Sequence, residues 1–481
     1  MNMKHKSILA IITVIIMILS FVGCSSNERQ VIKLTLSTQD SEAILAAAGV
    51  TLPDIADVGC ANSVVEWFSW FDDFHNYSED EIVNTGYFTF EEKYGCEIEW
   101  VECTWAERYD KLANLMLTDD SPDFYPAEAA SFPTYQIKGL YSPVDEYIDY
   151  SAPLWKDVSD FAHTYFSLGD SCYMIVTDIT FDTVMCYNRR IFDEHGFDDP
   201  ATLFYNNEWT WQVMENMCYE FTDPDEEIYA FDDWYYYMAL LDSSGATTLA
   251  LNPETHLFET DINNPALERA ARLLYDLNKN ECIYPWHLNG WALRGGSAIK
   301  DGKLLFSCGG IKTFTGPVES IQNTFGDVTE QEVMFVPMPR DENGDGNYYM
   351  QTMPAGYMLL KGGDNLEGAA LLAACDRFKV IDPTVVSIDR RQLEEIYLWT
   401  DEMLAMWDTC YELANTEHVI VRYAQGLGSK LYEVLNKGIE ESYHPDNGVA
   451  KTWAQVKEES TDRLNHYVGE LNDDITEYIN S

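Results

Sequence analysis

Hydrophobic positions in this chain recur with two periods, and the two alternate along the sequence. Val64 to Phe71 is largely apolar and reads as a core strand, and Glu97 to Glu102 alternates polar and apolar as a second strand. Between them an amphipathic stretch runs to Lys93-Tyr94-Gly95, where glycine is the expected helix stop. Ala106 to Leu117 carries Tyr109, Leu112, Ala113 and Met116 at helical spacing. Strand, helix, strand, helix predicts an α/β lobe. Upstream, Val31 to Leu36 alternates and Ser41 caps a short helical stretch that stops at Gly49, which suits a tether with peripheral packing. From Val380 onward the pattern is helical throughout. Leu393, Ile396, Tyr397, Met403 and Leu404 share one face, and Gly426, Gly428 and Gly438 mark breaks.

The first residues follow another logic. Lys4 and Lys6 precede an apolar core from Ile8 to Leu19, and Val22-Gly23-Cys24-Ser25-Ser26 supplies small residues and a cysteine at a cleavage point. Residues 1–23 are therefore expected to be a secretory signal, with Cys24 as the lipid-attachment residue. A permanent span is the rival. Ile8 to Gly23 is too short for it, because crossing a bilayer takes roughly 20 apolar residues. The last four residues of the segment resemble the bacterial lipobox, which implies a diacylated Cys24 on the outer face of the membrane. No later run approaches the length of a span.

With 481 residues, the chain exceeds one ordinary core and is expected to divide into two lobes. Asp and Glu total 81 against 30 Lys and Arg, a formal charge of −51. A field of that sign repels nucleic acid and anionic headgroups, which removes those partner classes. The acidic residues are dispersed, as on solvated faces, and 46% hydrophobic content excludes disorder. Eleven cysteines contain no C-x-x-C and no zinc spacing. Apart from Cys24, they read either as partly paired or as buried small hydrophobes, the latter by default.

Motifs for chemistry are weak. Asp341-Glu342-Asn343-Gly344-Asp345-Gly346 copies the first half of a calcium loop, but Thr352 stands where a bidentate Glu is needed; a weak site and a polar turn are both open, and the turn fits better. Gly426-Leu427-Gly428-Ser429-Lys430 lacks P-loop spacing, and there is no G-x-S-x-G or H-E-x-x-H. A glycosidase carboxylate pair could be nominated anywhere among so many acids. No catalytic residue, resident metal or cofactor is expected.

Phe90-Glu91-Glu92-Lys93-Tyr94-Gly95, Glu97-Ile98-Glu99-Trp100-Val101 and Arg108-Tyr109-Asp110-Lys111-Leu112 through Ser121-Pro122-Asp123 resemble the start of the family 1 extracellular solute-binding proteins of ABC importers. The likeness continues through Lys138 to Ile148, Met185 to Phe192 with His195-Gly196-Phe197, Thr210-Trp211, Asp301 to Phe306, and Val336-Pro337-Met338-Pro339. The resemblance spans about 62 to 480. It implies a type II periplasmic-binding-protein-like fold, α/β, with two lobes, each a mixed sheet flanked by helices, and a hinge between them. The family's chain path places a tether at 24–61, lobe one at 62–176 plus 307–358, and lobe two at 177–306 plus 359–481, with crossovers near 177, 306 and 359.

A sugar offers faces of C–H groups that lie on aromatic rings and hydroxyls that need carboxylates or amides. Ligands of open α/β sheets bind at the carboxyl ends of strands. Trp70, Phe71, Asp72 and Asp73 end the first strand, and Glu102 and Trp105 end the second. One or both of Trp70 and Trp105 are expected to stack on the ligand, with Asp72, Asp73, Glu102 or Asp123 accepting its hydroxyls. The resemblance adds Asp178 and Asp182 in the first crossover, Lys312 and Phe314 after Gly309-Gly310, and Tyr423 on a late helix. Trp211, Trp399, Trp407 and the Trp234-Tyr235-Tyr236 cluster read as core. The expected function is capture of a sugar or oligosaccharide by a monomeric, lipid-anchored protein and delivery to ABC permease subunits. The alternatives are a peptide or a cation in the same fold, a surface glycoside hydrolase, and a sensing lipoprotein feeding a kinase.

Overall fold

In the computed structural model, the described residues are 60–72, 74, 85–181, 183–231, 235–285, 296–314, 318–415, 419–440 and 450–481. The expected signal, Cys24 and nearly all of the expected tether lie outside them, as do Asp73, Asp182, Trp234 and the side chain of Lys312. Among the described residues, no helix is long and apolar enough to cross a membrane.

Eight strands build two sheets: β1 Val64–Ser69, β2 Glu97–Glu102, β3 Phe124–Pro126, β4 Ile175–Phe181, β5 Thr183–Asn188, β6 Ser307–Gly310, β7 Val333–Val336 and β8 Thr352–Leu359. The first sheet has the order β2-β1-β3-β8-β4. Its first three strands are parallel, and β8 runs antiparallel to both β3 and β4. The second sheet has the order β6-β5-β7 and is antiparallel throughout. The chain is mixed α/β, with each sheet packed against helices.

The strand pairing shows which of these segments share a sheet. Ser307–Gly310 and Val333–Val336, expected in lobe one, hydrogen-bond to β5 in the second sheet. The β4 strand, expected to open lobe two, is the edge of the first sheet. The physical reason is burial. All six residues of β5 are buried, so it needs a partner on each side, and β6 and β7 supply them.

Helix Leu366–Ile381 was also expected in lobe two, yet it packs on the first sheet. The Asn365 side chain caps it by accepting from Gly368 N at 3.0 Å, and every residue from Gly368 to Arg377 is buried. A helix apolar on all sides must lie inside. Asp376 bonds Tyr357 of β8, and Arg377 donates to Thr177 O of β4 at 2.9 Å. At Gly86, on the neighbouring helix, an added Cβ would lie 2.1 Å from Asp376 Oδ1, so the two helices touch backbone to side chain. Across the sheet, Trp67 of β1 is 1% exposed and meets the rings of Phe124 at 4.6 Å, Phe74 at 5.4 Å and Tyr357 at 5.9 Å. Burying such a ring is worth roughly 2–3 kcal/mol.

Local signals place most elements. Helix Thr85–Tyr94 ends at Gly95 with φ +65°, and the strand Glu97–Glu102 has the expected bounds. Asn188 caps helix Arg189–His195, and Gly196 closes it with φ +72°. Trp211 follows the capping Thr210 and donates to Ser243 Oγ at 2.9 Å, a packed role. The C-terminal region is helical in pieces, Pro383–Ile396, Asp401–Ala414, Ser429–Glu433 with a π turn after it, and Trp453–Asn480. Gly428 breaks it with φ +85°, and Gly426 packs where a Cβ would fall 2.2 Å from Phe132 O. Trp399 and Trp407 are core, their ring centroids 5.4 Å apart. The ten described cysteines are all buried, and no disulfide joins any two of them. Burial pushes the thiols of Cys60, Cys103, Cys172 and Cys282 up to about 11.

Burial also raises the carboxyl pKa values of Glu66, Asp123, Asp178 and Asp242; for Glu66 the adjacent Asp123 charge adds to the effect. A folded pKa above the unfolded value means that the native state takes up protons first as pH falls. The resulting stability is complete below the ordinary values of 3.8 and 4.5 and is lost as pH rises through the folded values. Relief of self-repulsion at −51 acts in the same direction. The melting temperature should therefore rise as pH falls from neutral toward the ordinary carboxylate range, and Glu66→Gln should flatten that slope. Scanning calorimetry checks both; a melting temperature that falls over this interval contradicts the assignment. Asp199 works the other way at lower pH. Burial opposes its charge, but Tyr187 and Arg189 outweigh burial and lower its pKa.

Candidate functional site

The three parallel strands deliver their carboxyl ends to one edge of the first sheet. Ser69 pairs with Glu102, and Trp67 pairs with Phe124, so Trp70, the segment after Glu102 and the segment after Pro126 emerge side by side. Trp105 lies there 46% exposed, with Trp70 against it at 4.6 Å between ring centroids and 83° between planes. Trp70 also touches Phe71 at 5.0 Å and Tyr125 at 5.9 Å. Below Trp105 lies Arg108, one turn along on helix Arg108–Leu117, its guanidinium carbon 3.6 Å from the indole centroid.

Arg108 is buried and fully engaged. It donates to Trp105 O, to Tyr125 Oη at 3.0 Å and to Glu128 Oε1 at 3.1 Å. The other oxygen of Glu128 accepts from Tyr109 at 3.0 Å and from Tyr125 at 2.6 Å. Burial disfavours the guanidinium charge, but Glu128 outweighs it and raises the pKa further. Burial and the same carboxylate raise the phenol of Tyr125. For Tyr109, burial leads and Tyr141 and Glu128 add to it. Tyr109 stacks on Tyr135 at 3.6 Å and 17°. The result is a ledge with an exposed indole on top and a charged, hydrogen-bonded base.

Of the residues expected to form a site, Trp70, Glu102 and Trp105 meet at this edge. Glu102 is exposed, and its backbone carbonyl accepts from Lys111. Asp72 follows on the same loop, where its carboxylate accepts from Phe74 N at 3.1 Å and shapes the turn. The others go elsewhere. Asp123 is 3% exposed and precedes β3, so it lies at the opposite end of the strands; its oxygens accept from Glu66 N at 2.8 Å and Asn365 N at 2.6 Å. Asp178 bonds Tyr411 and Ile179 N inside the packed junction of β4 and helix Asp401–Ala414. Phe314 is fully buried against Phe325 and Phe335, and its carbonyl accepts from Trp399 Nε1 at 2.8 Å. Tyr423 is buried and donates to Tyr165 O at 3.1 Å. These four side chains hold the fold in this structure. Asp73, Asp182 and the Lys312 side chain lie outside the described residues.

Arg108, Tyr125, Glu128 and Tyr135 belong to the ledge and were not among the residues expected at a site. The strand-end rule that marks Trp70 and Trp105 also marks Glu128 once Phe124–Pro126 is recognised as a third parallel strand, but three residues are too short to show periodicity.

Two cavities lie away from this edge. One, of about 210 Å³, is lined by Ser244, Asn264, Arg269, Asp341 and Tyr349 among others; the second, of about 130 Å³, surrounds Arg422. Their charges are already paired, Arg269 with Asp341 at 2.5 Å and Arg422 with Asp242 at 2.7 Å and Glu440 at 2.5 Å. The aromatic ledge is the better candidate, because it lies at the strand ends and presents an exposed ring. The Asp341 segment is a turn: Asp341 accepts from Asn343 N at 2.8 Å and Asp345 from Asn347 N at 2.9 Å. Among the described residues, no three His, Cys, Asp or Glu side chains are grouped as metal ligands would be.

Residues 88–375, more than half of the chain, match the family described as bacterial extracellular solute-binding protein. The chain belongs to this family. Solved structures agree on the fold. An ABC substrate-binding protein from Listeria monocytogenes in complex with cycloalternan superposes with a TM-score of 0.60 at 16% identity, covering 85% of this chain and 99% of that one. The galacto-N-biose/lacto-N-biose I-binding protein of the ABC transporter from Bifidobacterium longum gives 0.59 at 14% identity, with 84% and 97% coverage. The GacH receptor of Streptomyces glaucescens GLA.O gives 0.57 at 15%, with 84% and 99%. No curated protein matches the chain. The likeness places this solute-binding protein in the two-lobed α/β fold of those receptors.

Stability measurements separate the residues of this solute-binding protein that hold the fold from those at the ledge. Asp123→Ala removes the acceptor of two buried amides and should cost about 2–4 kcal/mol. Trp105→Ala, at an exposed ring, should cost under about 1.5 kcal/mol. Urea unfolding of the two variants checks the contrast, and the reverse order would exchange the roles assigned here.

Proposed function

We propose that this solute-binding protein captures a sugar or oligosaccharide outside the cell and hands it to the permease of an ABC importer, without turning it over. The observation that carries the proposal is the exposed Trp105, edged by Trp70, at the carboxyl ends of parallel strands. An indole face there fits the C–H face of a pyranose, and Glu102, ending β2, and Asp72, on the loop after Trp70, are the proposed acceptors of its hydroxyls. The complexes of similar fold with cycloalternan and lacto-N-biose support a saccharide. Glu128, the carboxylate nearest the rings, has both oxygens held by Arg108, Tyr109 and Tyr125, which suits a structural role better than an acid or a nucleophile.

In this proposal lobe one comprises about residues 62–181 and 352–396, and lobe two about 183–336. They close on the ligand by rotation about position 182 and the segment 337–351. Asp73, Asp182 and Lys312 are proposed as further contacts to the ligand. The protein acts as a monomer, and its partner is the membrane permease.

A thermal-shift screen over neutral mono- and oligosaccharides tests the ligand class, because a ligand at 100 times its Kd stabilises by about 2.7 kcal/mol. For a sugar found this way, Trp105→Ala should cost roughly 2–4 kcal/mol of affinity by calorimetry. Undiminished binding by both Trp105→Ala and Trp70→Ala would remove the ledge as the site, and release of smaller sugars from the hit would make the protein a hydrolase.

The anchor is a second, separate proposal: residues 1–23 are removed and Cys24 is diacylated, which tethers the protein to the outer face of the membrane. Cys24→Ala should then leave an unprocessed precursor on immunoblots of expressing cells. Mass spectrometry that finds an unmodified Cys24 in membrane-extracted protein defeats the tether.

A further inference from the structure

We infer that Arg108 is a positioning residue that selects a neutral ligand: by occupying the inner face of Trp105, it makes the outer face unfavourable for cations and leaves it to uncharged C–H surfaces. The inference rests on the reading of the ledge as the ligand site and narrows its ligand class. The acidic balance of the chain points the other way, since a formal charge of −51 should draw cationic ligands such as polyamines to any exposed aromatic ring. Local geometry opposes that field.

The guanidinium carbon lies 3.6 Å from the Trp105 centroid, 4.3 Å from that of Tyr109 and 5.6 Å from that of Trp70. Lys138 lies over Tyr135 at 4.6 Å. The chain's own cations therefore sit against the rings of this ledge. An aromatic face attracts a cation through the negative region of its quadrupole, and both faces of one ring share that quadrupole. A second cation on the outer face would stand about two ring-contact distances, roughly 7 Å, from the guanidinium, and at a partly buried site that repulsion rivals the attraction of the ring. A sugar C–H face carries no net charge and is not repelled.

Glu128 balances the guanidinium, and hydroxyls from Tyr109 and Tyr125 hold it, so the pair is a fixed dipole whose positive group rests on the indole. Exposed Glu102, Glu107 and Asp110 nearby carry the opposite sign and would otherwise favour a cation. Arg108 also fixes the ring itself, since it donates to the Trp105 carbonyl while stacking under the side chain.

The test uses fluorescence quenching of the full chain and needs no ligand. The emission due to Trp105 is the difference between the parent and Trp105→Phe. In the parent, the ratio of caesium to acrylamide quenching of this component should be at most about one-third of the ratio measured on free N-acetyltryptophanamide. Arg108→Met combined with Glu128→Gln, which removes both charges together, should raise the caesium effect about threefold and leave acrylamide nearly unchanged. A caesium-to-acrylamide ratio in the parent equal to that of free N-acetyltryptophanamide, or caesium quenching unchanged in the folded double variant, overturns the inference. Should the double variant fail to fold, calorimetry of the parent with spermidine decides: no heat supports the inference, and binding that Trp105→Ala abolishes overturns it. The two readings fail separately. If no sugar binds but the quenching contrast holds, the proposed function falls and the cation barrier stands; if a sugar binds at Trp105 while caesium quenches freely, only this inference falls.

Discussion

One run of chain ties the molecule together. Ile175–Phe181 is the edge strand of the first sheet and Thr183–Asn188 is the central strand of the second, with a single position between them. Both strands are largely buried, so neither can shift along its sheet without moving its whole side-chain pattern out of register. The two sheets are thereby tied to each other through consecutive strands of the chain. The later return from Val336 to Thr352 passes the same junction, where Thr352 N donates to Ile420 O at 2.8 Å and Asn415 donates to Ile179 O at 2.7 Å. The bulge opposite Thr177 fits the same design. Gly356, with φ +139°, stands where a Cβ would fall 1.9 Å from Ile175 O, so only glycine allows this approach of strands at the junction.

From that junction the first sheet fans out to its parallel end, and there the chemistry gathers. The buried helix Leu366–Ile381 and the Asp123 clamp set the far end of the strands, which frees the carboxyl end to carry side chains outward. The ledge is a layered object: a tyrosine-held carboxylate, a guanidinium upon it, and an indole on top. Each layer satisfies the one below. Only Trp105 is left with substantial exposed ring area, and this is what makes a binding role the natural reading of the edge in a member of this family.

Much of this was legible in the sequence where the signal is local. Gly95 and Gly196 stop helices, Asn188 and Thr210 cap them, and Trp70 and Trp105, both picked out by the strand-end rule, lie against each other. Burial that depends on distant partners is not legible in this way. Asp123, Asp178, Phe314 and Tyr423 carry side chains suited to a ligand, but each meets a partner remote in sequence, Asn365, Tyr411, Trp399 and Tyr165 respectively.

The sequence by itself determined the α/β class, the family motifs, the acidic surface and the helix boundaries, because these follow from periodicity, capping and composition within a few residues of one another. Only the tertiary structure decided which sheet owns Ser307–Gly310 and Leu366–Ile381, and which aromatic and acidic residues face outward. Those choices depend on pairing across more than a hundred residues, where strand register and burial are settled jointly and no local pattern carries the answer. Arg108 shows the limit. In the sequence it is one basic residue three positions after a tryptophan; the guanidinium stacked beneath that ring exists only because β3 brings Tyr125 and Glu128 to hold it.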